Sequence, residues 1–314
     1  MSPASRHHLW ADGLLLATAM MWGTNILVFK HAIVAIDPLV FNFFRLVPAT
    51  LTLGLLWWGQ RYRWPARPET TTSQPPWIRL CCFALLNGLI YQYVFARGLA
   101  LTTASTAALI LASMPMWTAI LSMCFLSERL RTISWIGLTI TFVGTSIVVI
   151  SGNGQISFGM DRMTGNLLML GSALVWAAGT VLSKSILDTI TPLSLAFFSA
   201  LVTLPAHAII AWPRFWTDIG LLLEPTLLAA TIYAGAFSSG IAFVTWHAGV
   251  RILGGSHAAV YQNLVTLIAV LGGWLLLSEP ATSSQLLGGC LVIGGLIAMR
   301  RGRHPVKIAA SAKP

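Results

Sequence analysis

The sequence predicts an all-α integral membrane protein, with ten transmembrane helices in two inverted-topology five-helix repeats. Three observations carry this prediction. Hydrophobic residues make up 56% of the 314-residue chain and charged residues 9%, with mean hydropathy +0.77, whereas soluble domains carry about 25% charged residues. Ten stretches approach the ~20 mostly apolar residues that a helix needs to cross a bilayer. The chain also writes its second half as a copy of its first.

The copy is read residue by residue. A shift of 151 carries Ser105, Ala107, Ala108, Ser127, Glu128, Gly137 and Gly144 onto Ser256, Ala258, Ala259, Ser278, Glu279, Gly288 and Gly295. A shift of 154 carries Trp22, Lys30, Pro38, Phe43 and Phe44 onto Trp176, Lys184, Pro192, Phe197 and Phe198. Five spans per half is an odd number, so the second copy enters the membrane from the opposite side. That pattern belongs to inverted repeats about an axis in the membrane plane, a common plan of secondary transporters with a midplane site between the halves. The expected divisions are a first repeat over 1–151, a linker at 152–163, a second repeat over 164–301 and a basic tail at 302–314.

In chain order, the first span is expected at 13–33, bearing Trp22 and Asn25, and ends at the turn pair Asp37-Pro38. The second, 39–59, holds Arg45 and runs into the hydrophilic stretch 60–77. The third, 78–98, bears Asn87 and Tyr91; the fourth, 103–126, contains Pro115 and closes at Ser127-Glu128-Arg129. The fifth, 133–151, has glycines seven apart and stops at Gly152-Asn153-Gly154. The sixth, 165–187, carries Trp176 and ends before Thr191-Pro192; the seventh, 193–212, ends at Trp212-Pro213. The eighth, 226–248, bears Ser238 and Ser239 and precedes Gly254-Gly255. The ninth, 258–277, opens with Tyr261, Gln262 and Asn263 and ends at Glu279-Pro280, and the tenth, 285–299, repeats the glycine spacing. The four cysteines lie inside apolar runs without metal or disulfide spacing and read as small core hydrophobes. Too few apolar residues precede Ala17-Thr18-Ala19 for a cleaved signal peptide.

Net charge is +10, but the basic residues sit in short segments between apolar runs, so nucleic acid is not an expected partner. Counted over alternate loops with the N-terminus inside, fourteen Lys and Arg fall on the inner side and four on the outer. The positive-inside rule therefore puts both termini in the cytoplasm. The lipid bilayer and a small solute are the expected partners, and the chain is expected to be a monomer.

The order of these features resembles the drug/metabolite transporter superfamily, EamA type: ten spans in two similar halves, an arginine in the second (Arg45), a proline inside the fourth (Pro115), and a glutamate closing the fourth and ninth (Glu128, Glu279). The likeness covers nearly the whole chain. Within that superfamily the chain is most similar to the YddG-type inner-membrane exporters, which implies a bacterial inner-membrane location and export of aromatic and other amino acids or of aromatic cations such as methyl viologen. The second half has Ser199 where the first has Arg45, and Thr266 where it has Pro115, so roles for those two residues are not symmetric.

Substrate contacts are sought among polar groups at midplane depth, since these are costly in hydrocarbon unless they line a cavity or find partners. Trp22 and Asn25, Asn87 and Tyr91, Trp176, and Ser238 and Ser239 lie there. Trp22 matches Trp176 and Asn87 matches Ser238 across the repeat, as residues facing one shared cavity would. Tyr261, Gln262 and Asn263 add a polar cluster somewhat inward of centre. The competing reading gives such residues only interhelical hydrogen bonds, worth about 0.6 kcal/mol each. Arg45 is near enough to the outer surface to snorkel; the other use for it is a substrate carboxylate. Trp10, Trp57, Trp58, Trp64, Trp77, Trp212 and Trp216 read as an interfacial belt. The glycine pairs serve internal packing or a dimer face, and Glu128 and Glu279 read as boundary caps before coupling groups.

All nine acids fall in loops or at span ends, so a proton relay on a buried carboxylate is not expected. His207, His247 and His257 are the side chains that titrate near neutrality. The chain shows no HExxH, serine elbow or P-loop; it reads as neither an enzyme nor a nucleotide-driven pump, and no metal or other cofactor is expected. A solute carrier working by alternating access is the leading reading, with a passive channel or a lipid or metabolite flippase as the alternative.

Overall fold

The computed structural model describes residues 3–63, 76–126, 132–151, 160–187, 189–253, 255–280 and 282–301. They form ten helical spans. These are α1 (Pro3–Ala32), α2 (Pro38–Arg63), α3 (Trp77–Leu101), α4 (Ala104–Leu111 and Met114–Leu126), α5 (Thr132–Ser151) and α6 (Met160–Ile186). Then follow α7 (Pro192–Asp218), α8 (Pro225–Ile232, Tyr233–Ile241 and Ala242–Leu253), α9 (Gly255–Leu276) and α10 (Ser283–Arg301). Eight are long and apolar enough to cross a bilayer, and α9 and α10 contribute the shorter apolar stretches Tyr261–Leu276 and Ser283–Ala298. A lipid-embedded backbone must satisfy its own polar groups, which helices do within one segment. The junction Ser127-Glu128-Arg129, most of the linker and the basic tail lie outside the described residues.

Local chemistry sets the helix ends. Asp37 Oδ1 accepts from the amides of Leu39 and Val40, and Thr191 Oγ1 from that of Ser194, so both Pro38 and Pro192 open capped helices. Thr282 and Gln285 cap reciprocally at the start of α10. Pro115 has no N–H to give, and α4 breaks between Leu111 and Met114. The helix at Trp212-Pro213 does not stop there: α7 runs through Pro205 and Pro213 to Asp218.

Two spans contain π-helical stretches at matching places, Ala84–Ile90 in α3 and Tyr233–Ile241 in α8. Such wide turns often mark functional sites. Asn87 lies in one, Ser238 and Ser239 in the other.

Packing is exchange-symmetric. α1 packs on α9 as α6 does on α4, α1 on α8 as α6 on α3, and α2 on α8 as α7 on α3, while α2·α7, α4·α9 and α5·α10 pair each span with its own mate. This is the pattern a two-fold axis relating the halves requires. The α5·α10 pair depends on the glycines: a Cβ on Gly144 would come within 2.7 Å of the Gly288 carbonyl oxygen, and one on Gly295 within 2.6 Å of the Gly137 oxygen. The glycine faces thus meet inside the chain. The cysteines do not lie in the core; Cys81, Cys82, Cys124 and Cys290 are all on the outer surface, where a thiol is compatible with lipid.

At the face where α1 ends, charged side chains tie the spans together, Lys30 within the first half and Glu279 across the halves. Lys30 Nζ donates to the carbonyls of Leu99 (2.9 Å) and Thr102 (2.6 Å), at the open C-terminal end of α3. Glu279 accepts from the amides of Ala104 (2.6 Å) and Ser105 (2.9 Å) and from the Ser105 hydroxyl (2.6 Å), at the N-terminal turn of α4. Ser278 adopts φ 53°, and the amide of Glu279 donates back to the Gly273 carbonyl, closing the end of α9 around that left-handed residue.

Gly288→Val forces a side chain against the backbone of α5 and is expected to cost about 1–3 kcal/mol, seen as a lower melting temperature of detergent-purified protein. Gly13→Ala, where a Cβ meets nothing within 4 Å, should leave it unchanged or slightly raised.

Candidate functional site

A cavity of about 110 Å³ lies between the halves, walled by α1, α2, α3, α4, α6, α8 and α9. Trp22 stands at its centre. Its indole Nε1 donates to the Ser238 carbonyl (3.0 Å), in the π-helical stretch of α8. Its ring meets Trp176 edge to face at 6.0 Å and Trp246 at 5.2 Å. Trp176 in turn touches Tyr91 (4.9 Å) and Phe243 (6.2 Å). Rings from α1, α3, α6 and α8 therefore form one continuous wall, in geometries that aromatic quadrupoles favour.

Arg45 supplies the charge. It is only 3% exposed, so it does not snorkel; α2 turns it inward, and the polar partners it finds there outcompete the surface. Nη2 donates to Gln92 Oε1 (2.5 Å) and to Asn42 Oδ1 (2.7 Å), Nε to the same Asn42 oxygen (3.2 Å), and Nη1 to Ser239 Oγ (2.6 Å). The guanidinium also lies 5.0 Å from the Phe29 ring centroid, and Phe29 packs on Phe41 and Phe95. Four hydrogen bonds account for four of its five N–H groups. Every partner is a neutral oxygen, and among the described residues no carboxylate pairs with Arg45.

A second layer fixes that arrangement. His207 Nε2 lies 2.8 Å from the Gly88 carbonyl, which can only accept, so this nitrogen carries the proton. Its Nδ1 then accepts from Asn42 Nδ2 at 3.4 Å, which turns the Asn42 oxygen toward Arg45. The chain Gly88, His207, Asn42, Arg45, with Gln92 and Ser239 beyond, links α2, α3, α7 and α8.

Of the candidate residues, Trp22, Asn25, Arg45, Tyr91, Trp176, Ser238, Ser239 and Gln262 line this cavity. Asn87 does not. It lines a smaller adjoining space with Gly88, Ser199 and Thr203, sharing Gln92, Ser239 and Phe243 with the main one. Tyr261 turns away to donate to Asp12 Oδ1 at 2.8 Å, tying α9 to α1. Asn263 is outside the lining, and its buried Oδ1, like those of Asn25 and Asn87, has no hydrogen-bond partner among the described residues. Gln92, Thr266 and Phe243 line the cavity without having been singled out. Gln92 had a readable signal, a polar residue beside Tyr91 in an apolar span; Asn42, three before Arg45 and so on its helix face, had another. Trp57 leaves the interfacial belt: it stacks on Phe197 at 5.3 Å and donates to Ser194 Oγ at 3.2 Å, joining α2 to α7. The side chains of His247 and His257 and all of Glu128 lie outside the described residues.

A polytopic helical protein with a polar and aromatic cavity between two exchange-symmetric halves is built as a membrane transporter. The model of the EamA-like transporter family matches residues 9–150 and 163–301, and the chain belongs to that family. It is 24% identical over 305 residues to an uncharacterized transporter of Archaeoglobus fulgidus, covering 96% of this chain and 99% of that one. It is likewise 24% identical over 295 residues to the uncharacterized transporter YoaV of Bacillus subtilis, with 90% and 94% covered. A solved crystal structure with 20% identity aligns over 96% of this chain and 99% of its own at a TM-score of 0.62, a likeness of fold.

Asn42→Leu removes the acceptor for two Arg45 hydrogen bonds. Bonds to charged groups are worth about 1.5–3 kcal/mol each, so a loss of at least about 2 kcal/mol in unfolding free energy is expected. Asn42→Leu/Arg45→Leu should be less destabilised than the sum of its single changes, because it leaves no buried charge stranded. Thermal unfolding of the three variants measures this.

Proposed function

We propose that the chain is a secondary transporter that exports aromatic or other amino acids and related small organic solutes, by alternating access through the central cavity. The observation that carries the reading is the joining of an aromatic wall, Trp22, Trp176, Tyr91 and Phe243, to the buried Arg45 in one cavity between the halves. Rings offer faces to an apolar or aromatic side chain, and the amides and hydroxyls of Asn25, Gln262 and Ser239 offer hydrogen bonds to its polar end. We read residues 1–151 and 164–301 as the two moving repeats, rocking about the cavity. The direction of export and the likeness to YddG-type exporters rest on the sequence pattern alone. Charge bias supports cytoplasmic placement of both termini, the likeness to YddG-type exporters supports an inner-membrane location, and the burial of the glycine faces between α5 and α10 supports a monomer.

Reconstituted into liposomes preloaded with unlabelled tryptophan, the protein is expected to accumulate labelled tryptophan or phenylalanine transiently above equilibrium, with saturation. Trp176→Ala and Asn25→Ala, which strip the wall and a cavity amide, should each lower uptake about tenfold, the worth of one lost contact of about 1.4 kcal/mol. Uptake that is linear in concentration and shows no counterflow would mark a passive channel instead; transport of lipid without amino-acid uptake would mark a flippase.

A further inference from the structure

We infer that the cavity selects for a carboxylate, so that its best solutes are aromatic monocarboxylates, with amino acids second and aromatic amines and dications turned away. The inference rests on the proposed solute cavity and adds which charge that cavity will take. Arg45 brings a permanent positive charge to the wall, and among the described residues the lining contains no Asp, Glu or other fixed charge. Its partners Asn42, Gln92 and Ser239 hold the guanidinium in place but leave its charge uncompensated. His207 does not change the sum, since its bonds to Gly88 and Asn42 hold it neutral. Beside it on α3, Tyr91 is also uncharged in its phenol form.

A buried cation without a counter-ion is costly, and in a membrane protein it marks a functional site by default. A monoanion entering the cavity would bring the net charge of the occupied site to zero. It could also meet the guanidinium N–H that has no acceptor among the described residues, with a charge-assisted hydrogen bond. A zwitterionic amino acid gains the same contact but leaves the site positive. Its ammonium has the unpartnered Asn25 Oδ1 and the tryptophan faces to turn to, so it is accepted without being required. An amine lacking the carboxylate, or a dication such as methyl viologen, adds positive charge to positive charge and is repelled.

Four probes with matched rings separate the groups: 3-phenylpropionate, phenylalanine, phenethylamine and methyl viologen. Binding is read from quenching of intrinsic tryptophan fluorescence and from inhibition of labelled phenylalanine counterflow. The expected order is 3-phenylpropionate, then phenylalanine, with phenethylamine and methyl viologen weaker by at least about tenfold. Arg45→Gln should level the order by weakening the carboxylates and sparing the amine. If that variant does not fold, Arg45→Lys, which keeps the charge and loses the planar fork, should still reject the amines while binding carboxylates more weakly. Phenethylamine or methyl viologen binding as well as 3-phenylpropionate would overturn the inference while leaving an aromatic-solute carrier standing. The same order surviving in Arg45→Gln would overturn it as well. Failure of all four probes to bind would overturn the transporter reading for aromatic solutes and this inference together.

Discussion

The guanidinium of Arg45, buried in a bundle that lipid surrounds, is the group whose satisfaction most constrains the rest of the site. Hydrocarbon offers it nothing, so the fold must bring oxygen to it, and does so from three directions: Asn42 on its own helix, Gln92 on α3 and Ser239 on α8. Ser239 lies in a π-helical stretch, and its hydroxyl closes back on the Ala234 carbonyl, five residues earlier. Close approach is needed as well: a Cβ on Gly235 would meet the carbonyl of Arg45 itself and the Pro48 ring, so α8 can lie against α2 only because that position is glycine. Meeting one charge thus fixes the spacing of α2 and α8, the winding of α8 and the side-chain order of α3.

Helix ends face the same shortage of partners. The last carbonyls of α3 and the first amides of α4 would go unmet at the far side of the bundle. Lys30 supplies a cation to the former and Glu279 an anion to the latter, each matching the sign of the helix dipole. Both arrive from spans other than α3 and α4. Capping and closure of the bundle are therefore one interaction here, and any movement that parts α9 from α4 must first take the Glu279 carboxylate off two backbone amides and a hydroxyl.

How much of this could be read beforehand follows from which physics was local. Span number, the repeat and the glycine contacts are set by hydropathy and spacing, which a single chain displays; so is the boundary role of Glu279. Depth in the membrane was also readable, and it placed Trp22, Trp176, Asn25, Tyr91 and Ser238 at the cavity. Rotation about the helix axis was not. Asn87 and Tyr261 have the right depth, yet a wide π turn and a bond to Asp12 send them elsewhere. Arg45 was ambiguous for the same reason: seven residues into a span, a long side chain reaches either water or the interior, and only partners on other helices decide. The cysteines fail differently. In soluble proteins an apolar setting means the core, whereas in a membrane the outer surface is apolar too.

The repeat makes Arg45 more informative than its burial alone. Its counterpart in the second half is Ser199, which is buried beside Gly88 and Thr203 in the smaller adjoining space. A perfectly symmetric pair of repeats would present the same surroundings to a solute from either side, with charges equal about the axis. Here the aromatic wall keeps that symmetry, Trp22 facing Trp176, while the charge breaks it. Under the proposed rocking of the halves, an anion held by Arg45 would sit off the axis, nearer α2 than α7, and would move with the first repeat. A carrier of the proposed kind would have two end states that are alike in packing but unlike in electrostatics, since exchanging the halves would bring Ser199 to where Arg45 was. In the proposed carrier, affinity at the two faces would then differ by whatever the guanidinium contributes to one of them, so each face would load over its own concentration range while the solute gradient would still set the net direction.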